Sequence, residues 1–271
     1  MISSNNKIPC SVAVLTFNSE KGIRRCLDSV RDFEEIVICD GGSTDETLKV
    51  AKEYGATILE QDSAYKTADN KISDFSGVRN QMLEASRNKW FLVLDSDEYL
   101  SKESGLEICA VIAADTQETP KLFHVLRKYE VSGKIIDHAG TYPSYQPRFF
   151  HKNHVEKFTR KLHEKIVPKP GEKYGYLTKP TIVPVAVDPV ALKLKYAYYL
   201  QIEDERNAKA SASQLLNSIM FSFRGIAARW IKIFLNMFRS GTRMPLSFEI
   251  VSTQYSLKLT LILFKFLIRK I

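Results

Sequence analysis

Four short apolar runs, separated by stretches of helical periodicity, dominate the first hundred residues. Val12-Ala13-Val14-Leu15, Ile36-Val37-Ile38-Cys39, Thr57-Ile58-Leu59 and Trp90-Phe91-Leu92-Val93-Leu94 are apolar at nearly every position, the pattern of strands buried on both faces. Between the first two, Ile23, Cys26, Leu27 and Val30 recur at helical spacing after Ser19, a candidate cap. Between the second and third, Ser43 and Glu46 have the spacing of a capping box, followed by Leu48 and Ala51. Phe75, Val78 and Met82 predict a third helix. Strand and helix alternating in this rhythm close as right-handed βαβ units, so the fold class expected is α/β: a mostly parallel sheet in a sandwich of the nucleotide-binding type.

After Leu100 the rhythm changes. Residues 121–129 and 131–136 read as two strands, and a stretch rich in Tyr, Pro, Arg and His runs from His138 to Pro168. From about Val190 the pattern is helical, with a break around Gly241 to Pro245. A chain of 271 residues can bury one good core and still carry an appendage. The four cysteines show no CxxC spacing and two lie inside strand-like runs, which points to a reducing setting. The apolar run from Ile8 to Phe17 is short and unframed by a basic region, so it reads as a first strand and not as a signal peptide. Charge is unevenly distributed. From Arg206 onward there are eleven Lys or Arg and one acid, Glu249, a net of +10; the other 205 residues carry 28 basic and 30 acidic groups, a net of −2. A tail of this kind points to an anionic surface.

In open α/β sheets ligands sit beyond the carboxyl ends of the strands. Three such ends carry small or acidic residues: Thr16-Phe17-Asn18, Asp40-Gly41-Gly42-Ser43-Thr44-Asp45 and Asp95-Ser96-Asp97-Glu98. Gly41 through Asp45 is turn and cap chemistry. Asp40 precedes the turn, and a carboxylate there can accept a hydrogen bond from the imide N–H of a uracil-like base. Alternation at a strand end directs Asp95 and Asp97 the same way. Two such carboxylates repel unless a cation lies near them. Hard oxygen ligands on one side of Mg²⁺ or Mn²⁺, with diphosphate oxygens on the other, meet that need.

Taken together, residues 9–100 resemble the donor domain of glycosyltransferase family 2, of GT-A fold. The matching elements are Val14-Leu15-Thr16-Phe17-Asn18, Asp40-Gly41-Gly42-Ser43-Thr44-Asp45, Gly77-Val78-Arg79-Asn80 and Asp95-Ser96-Asp97-Glu98. The resemblance continues more weakly through Arg148-Phe149-Phe150 and Leu162-His163-Glu164, a combination similar to lipopolysaccharide-core β-glucosyltransferase-like proteins. It implies that Thr16 and Asp40 contact the base, Arg79 the nucleotide or its diphosphate, and Asp95 the ribose or metal, with Asp97 as the metal ligand. Arg79 has a rationale of its own, since a fixed guanidinium fork suits phosphate oxygens. The family often has two successive acids after the second strand; here the second is Gly41, so base recognition rests more heavily on Asp40.

His163 and Glu164 take their roles from the resemblance as well. Imidazole can ligate a divalent metal, and a neighbouring carboxylate can take a proton from an acceptor hydroxyl. Glu164 is thus the implied base and His163 a metal ligand, with Glu98 as the alternative base. The activity implied is inverting, Mg²⁺- or Mn²⁺-dependent transfer from a nucleotide-diphosphate sugar, such as a UDP-hexose, to a hydroxyl of a lipopolysaccharide, lipid-linked or other cell-envelope glycan. A GT-A domain is expected over residues 8–190, with a donor half at 8–100 and an acceptor half at 101–190. Tyr142, Tyr145, Arg148 and Phe149 border the acceptor site or pack as a loop on the sheet.

Residues 191–271 are expected to form a helical, basic, amphipathic extension. Ile219, Phe223, Ile226, Trp230, Phe234 and Phe238 fall on one helical face, with Arg224, Arg229, Lys232 and Arg239 on the other. Lys258, Lys265 and Arg269 nearly align in the last stretch. No run approaches the ~18 uninterrupted apolar residues of a spanning helix. The pattern is that of an interfacial anchor on an anionic membrane, which places the chain in the cytoplasm, peripheral on the inner face of the plasma membrane. The alternative is a helix pair capping the catalytic domain or making a dimer. Nucleic acid is disfavoured as a partner because the aromatic residues are segregated from the basic ones. Two other functions fit parts of the sequence. A sugar-1-phosphate nucleotidyltransferase needs a Gly-rich basic loop after the first strand, which Thr16-Phe17-Asn18-Ser19-Glu20 is not. A non-enzymatic membrane- or nucleic-acid-binding protein would use the tail alone.

Overall fold

Period-two alternation sorts the apolar runs into two cores, one on each face of a single sheet. A computed structural model describes residues 7–67, 72–161, 164–207 and 210–270. Strands β1 (Ile8–Thr16), β2 (Phe33–Asp40), β3 (Thr57–Glu60) and β4 (Trp90–Asp95) are mutually parallel, in the order β3-β2-β1-β4. Val12, Val14, Ile36, Ile38, Leu92 and Leu94 share one core with Ile23, Cys26, Leu27 and Val30 of α1 (Glu20–Val30) and Val50 and Ala51 of α2 (Thr47–Glu53). Their neighbours Ala13, Val37, Cys39, Phe91 and Val93 share the other with Val78 and Met82 of α3 (Phe75–Ala85). Thr57-Ile58-Leu59 departs from the expectation of burial on both faces. β3 is the edge of the sheet, and its residues are half-buried or exposed.

The sheet continues past β4 with antiparallel strands. β5 (Tyr99–Leu100) and α4 (Lys102–Ala113) lead into β6 (Leu122–Val131), whose end pairs with the two-residue β7 (Lys134–Ile135). β8 (Ser144–His151) runs antiparallel to β4 and β6, and the order beyond β4 is β8-β6-β11-β5, with β11 at Tyr174–Pro184. Trp90 stacks on Phe149 at 4.7 Å across the β4–β8 junction. A separate hairpin, β9 (Val155–Thr159) and β10 (Lys165–Pro168), sets Val155, Phe158 and Ile166 into the α3-side core.

Two local expectations are corrected. Ser43 and Glu46 form no capping box: α2 starts at Thr47 with Glu46 at the cap position and no side-chain cap bond. Ser43 turns back instead, donating from its backbone N and its hydroxyl to Asp40. Ser19 does occupy the N-cap position of α1, but it makes no side-chain cap bond; its hydroxyl lies 2.9 Å from that of Ser96.

The chain folds as two compact units, residues 1–128 with 144–183, and residues 129–143 with 184–271. The second unit is built on α5 (Pro189–Asn207), α6 (Ala212–Asn236) and α7 (Leu246–Ile268), with α7 packed against both other helices. Ser211 and Gln214 make a complete capping box at the start of α6. One core gathers Val131, Ile136, Ala139, Leu192, Met244, Phe248 and Val251, and a smaller one Leu215, Ile219 and Leu263. The helical face expected on α6 is split: Ile219 is buried and Ile226 half-buried, whereas Phe223, Trp230, Phe234 and Phe238 remain exposed. α7 holds no uninterrupted apolar run, being broken by Glu249, Gln254, Lys258 and Lys265. Over its 23 residues it is nevertheless long and apolar enough to cross a membrane by length and composition, at a mean hydropathy of 1.2.

Candidate functional site

Thr16, Asp40 and Asp95 arrive at one level because β1 sits between β2 and β4 in parallel register. Thr16 pairs with Asp40, and Leu15 with Asp95. Thr16 and Asp40 are both buried, and the Thr16 hydroxyl donates to Asp40 Oδ1 at 2.7 Å. Asp40 also accepts from the Ser43 hydroxyl at 2.6 Å and from the backbone N–H groups of Gly42 and Ser43 at 2.8 and 2.7 Å. A carboxylate has about four acceptor positions, and here all are used to shape the chain's own turn. Gly42 closes that turn at φ 97°, a conformation that suits glycine. Asp40→Ala is therefore expected to lower stability by about 1–3 kcal/mol through the orphaned donors. A thermal or urea melt measures this, and an unchanged melt would remove Asp40 from the turn's framework.

Asp95 does not stand against a second free carboxylate. Its Oδ1 accepts from Arg79 Nη2 at 2.9 Å and its Oδ2 from Arg148 Nη2 at 2.8 Å. Arg79, brought in by α3, also donates from Nε to Glu164 Oε1 at 3.2 Å, and Arg148, on β8, reaches Glu98 Oε2 at 3.6 Å. Arg127 on β6 donates to the other oxygen of Glu98. Three guanidiniums thus neutralise three carboxylates in one chain of contacts: Glu164–Arg79–Asp95–Arg148–Glu98–Arg127. The repulsion that the sequence relieves with a cation is relieved at Asp95 by two arginines. Burial alone would raise the Asp95 carboxyl; Arg148 and Arg79 reverse this and hold it far below the usual carboxylate range. Burial pushes the Glu98 carboxyl up, with Arg148 pulling against it. Arg79 Nη1 and Arg148 Nη1 are buried without a hydrogen-bond partner.

Asp97, two residues on, is exposed on an open cleft of about 680 Å³. The cleft is lined by Asn18, by Ser19 to Gly22 at the first turn of α1, by Thr44 and Asp45, and by Ser96 and Asp97. Interlocking loops hold its walls. Asn18, at φ 47°, accepts from Thr44 N at 2.9 Å and donates its own N–H to the Ser43 hydroxyl at 2.8 Å. Ser19 N donates to Thr47 Oγ1 at 2.7 Å. A Cβ on Gly22 would meet Ser96 O at 3.0 Å and Asp97 Cα at 3.2 Å, so glycine lets α1 close onto the acidic loop.

The lining carries Glu20, Asp45 and Asp97 against one lysine, Lys21. An anionic ligand enters such a cleft more readily in company with a cation. Among the described residues no group of three or more His, Cys, Asp or Glu could hold a metal by itself. The donor set present fits a cation held by one carboxylate and completed by ligand phosphate oxygens and water, as Mg²⁺ commonly is. His163, the other expected metal ligand, lies outside the described residues, as does Leu162. Of the site residues expected from sequence, the structure joins Arg79, Asp95 and Glu164 in one network and Thr16 with Asp40 in another. Arg127 and the partnership of Arg148 with Asp95 were not anticipated. Arg127 left no trace in the sequence beyond an arginine on a later strand, and the Arg148-Phe149-Phe150 element did not name the partner of Arg148.

The chain belongs to glycosyl transferase family 2, whose model matches residues 11–198. The mixed, mostly parallel sheet flanked by helices is the GT-A class of that family. The chain is similar to the SPbeta prophage-derived glycosyltransferase SunS of Bacillus subtilis, with 32% identity over 163 residues that cover 60% of this chain and 35% of that one. A TPR repeat-containing protein of Synechococcus elongatus is also 32% identical, over 57% of this chain and 34% of its own. The crystal structure of Staphylococcus aureus TarS residues 1–349 in complex with UDP-GlcNAc aligns at a TM-score of 0.46 and 19% identity, covering 69% of this chain and 65% of that one. The chain spans about a third of the length of the curated relatives it matches.

Proposed function

We propose that this chain transfers a sugar, with inversion, from a nucleoside-diphosphate donor to a hydroxyl of a lipid-linked or other envelope glycan at the cytoplasmic face of the plasma membrane. The observation that carries the reading is Asp97 on an open, acid-lined cleft at the carboxyl ends of the parallel strands. Family membership supports it. Asp97 would hold a divalent cation together with the diphosphate, and the bound cation would neutralise charge on the departing nucleoside diphosphate.

The chain's own residues supply the rest. Glu164 takes the proton of the acceptor hydroxyl as that oxygen forms its bond to the anomeric carbon and the bond to the diphosphate breaks. Arg79, engaged with both Glu164 and Asp95, fixes the base relative to the strand end. Glu98 is unsuited to the base role, being buried with one oxygen facing Arg127 and the other Arg148.

A thermal-shift panel of UDP-, GDP-, dTDP- and CMP-sugars, each with and without Mn²⁺, tests the donor assignment. A cognate donor at a hundred times its Kd is expected to add about 2.7 kcal/mol of stability, and only with metal present. Equal stabilisation without Mn²⁺, or none by any donor, would reject the reading.

A further inference from the structure

We infer that the α6–α7 hairpin of the second unit is a docking surface for an anionic lipid bilayer, and that it lies in the interface without spanning it. The inference rests on this unit alone and holds or fails independently of sugar transfer.

The inner side of the hairpin is committed to the fold. Leu215 and Ile219 of α6 pack on Leu263 of α7, Ser222 and Thr260 share a hydrogen bond of 2.6 Å, and the hydroxyl of Tyr196 on α5 meets Ser252 at 3.0 Å. Glu249 is buried and accepts from Gly140 N at 2.7 Å. The outer side is apolar. On α6, Leu216, Met220, Phe223, Trp230 and Phe234 are all exposed, as is Phe238 just past its end, Phe234 by 60% and Phe238 by 76%. At 3.6 residues per turn they occupy an arc of roughly 80°, next to the packed face. On α7, Leu257, Leu261, Phe264 and Ile268 are exposed within a narrower stripe of roughly 60°. Phe223 and Phe264 touch, ring centroids 6.3 Å apart, which joins the two stripes into one surface. A contiguous apolar area on two helices marks an interaction site.

Charge selects the occupant. Arg224 and Lys232 on α6, Arg239 just past its end, Lys258 and Lys265 on α7 and Arg269 at its C-cap are exposed around the apolar stripes. The one acid in residues 210–270 is the buried Glu249, so this surface presents cations with no exposed carboxylate among them. A second copy meeting it face to face would bring like charges together. An anionic bilayer answers both features: acyl chains for the aromatic stripe, headgroups for its basic border. Most of the exposed aromatic residues lie off the cationic side, Phe221 and the Arg269–Phe266 contact excepted, which is poorer interleaving than stacked nucleic-acid bases require. α7 has the length of a span, but its polar side is hydrogen-bonded to α5 and α6, and Lys258 and Lys265 would sit at bilayer depth. Both conditions are met if the hairpin lies flat.

The test uses the full chain with vesicles of phosphatidylglycerol and phosphatidylcholine, against phosphatidylcholine alone. Trp90 is 3% exposed and Trp230 38%, so a change in tryptophan emission on binding reports Trp230. Co-sedimentation with the anionic vesicles and a blue shift are expected, weakened by salt and reversed by a carbonate wash. F234Q/F238Q, at exposed positions, is expected to keep the melting temperature and to lose at least about tenfold in partitioning. K258Q/K265Q should lose binding to anionic vesicles and much of its salt dependence. Four results would overturn the inference: a chain that stays in the supernatant with anionic vesicles at low salt, F234Q/F238Q binding as tightly as the parent, retention after the carbonate wash, or a dimer that F234Q/F238Q converts to monomer.

Discussion

Asp95→Ala is expected to destabilise the first unit by about 3–5 kcal/mol, the usual cost of stripping one partner from a buried ion pair. The penalty falls on the arginines more than on the carboxylate. Asp95 keeps 34% of its side chain exposed, but the Arg79 and Arg148 side chains are only 4% and 13% exposed, and each retains a buried Nη1 with no hydrogen bond even when Asp95 is present. Without Asp95, two buried guanidiniums would face Glu164 and Glu98 alone. Urea midpoints measure the loss, and a cycle with Arg148→Met separates the pair energy from the change in packing. The pH dependence gives an independent check with a definite sign. Because the folded state holds the Asp95 carboxyl well below its unfolded value near 3.9, its contribution is complete above about pH 5 and drains away as pH falls further. The parent should lose that portion in acid and Asp95→Asn should not. A penalty below about 1 kcal/mol, or parallel acid profiles, would mean the network is solvated like a surface pair.

Why this network escaped the sequence is a matter of topology. Unbroken apolar runs identified β1, β2 and β4 because both faces of those strands are buried, and the residues that close them, Thr16, Asp40 and Asp95, could be read from where the runs stop. Arg148 reaches Asp95 from 53 positions away on an antiparallel strand, and although it stands in the Arg148-Phe149-Phe150 element, nothing local names its partner. The capping box failed for a related reason. Ser43 could either accept from the N–H groups of the helix start or donate to the Asp40 carboxylate three residues earlier, and the carboxylate won. On α6 the helical period located the apolar residues correctly but could not choose among them. Leu215 and Ile219 pack inward, and the larger Phe234 and Phe238 are left outside. Packing partners, which decide such choices, are absent from a one-dimensional pattern.

Asp97→Ala should behave in the opposite way to Asp95→Ala, although the two residues are neighbours in an acidic tripeptide. Asp97 is exposed on the cleft, so its removal should change stability by no more than about 0.5 kcal/mol. Its expected effect is on the donor. With Mn²⁺ present, affinity for a UDP-sugar and turnover should fall by roughly two to three orders of magnitude, as when a preorganised group that stabilises developing charge is lost. Without metal the sign should reverse. The cleft lining holds Glu20, Asp45 and Asp97 against Lys21, so deleting one carboxylate relieves repulsion toward a diphosphate and metal-free UDP should bind slightly better. Titration calorimetry with UDP, run with Mn²⁺ and with EDTA, reads both limbs. A purely structural Asp97 would move the two affinities together, and unchanged Mn²⁺-dependent binding would remove it as the metal ligand. The crossed pattern requires a carboxylate that repels the nucleotide alone and attracts it through a shared cation.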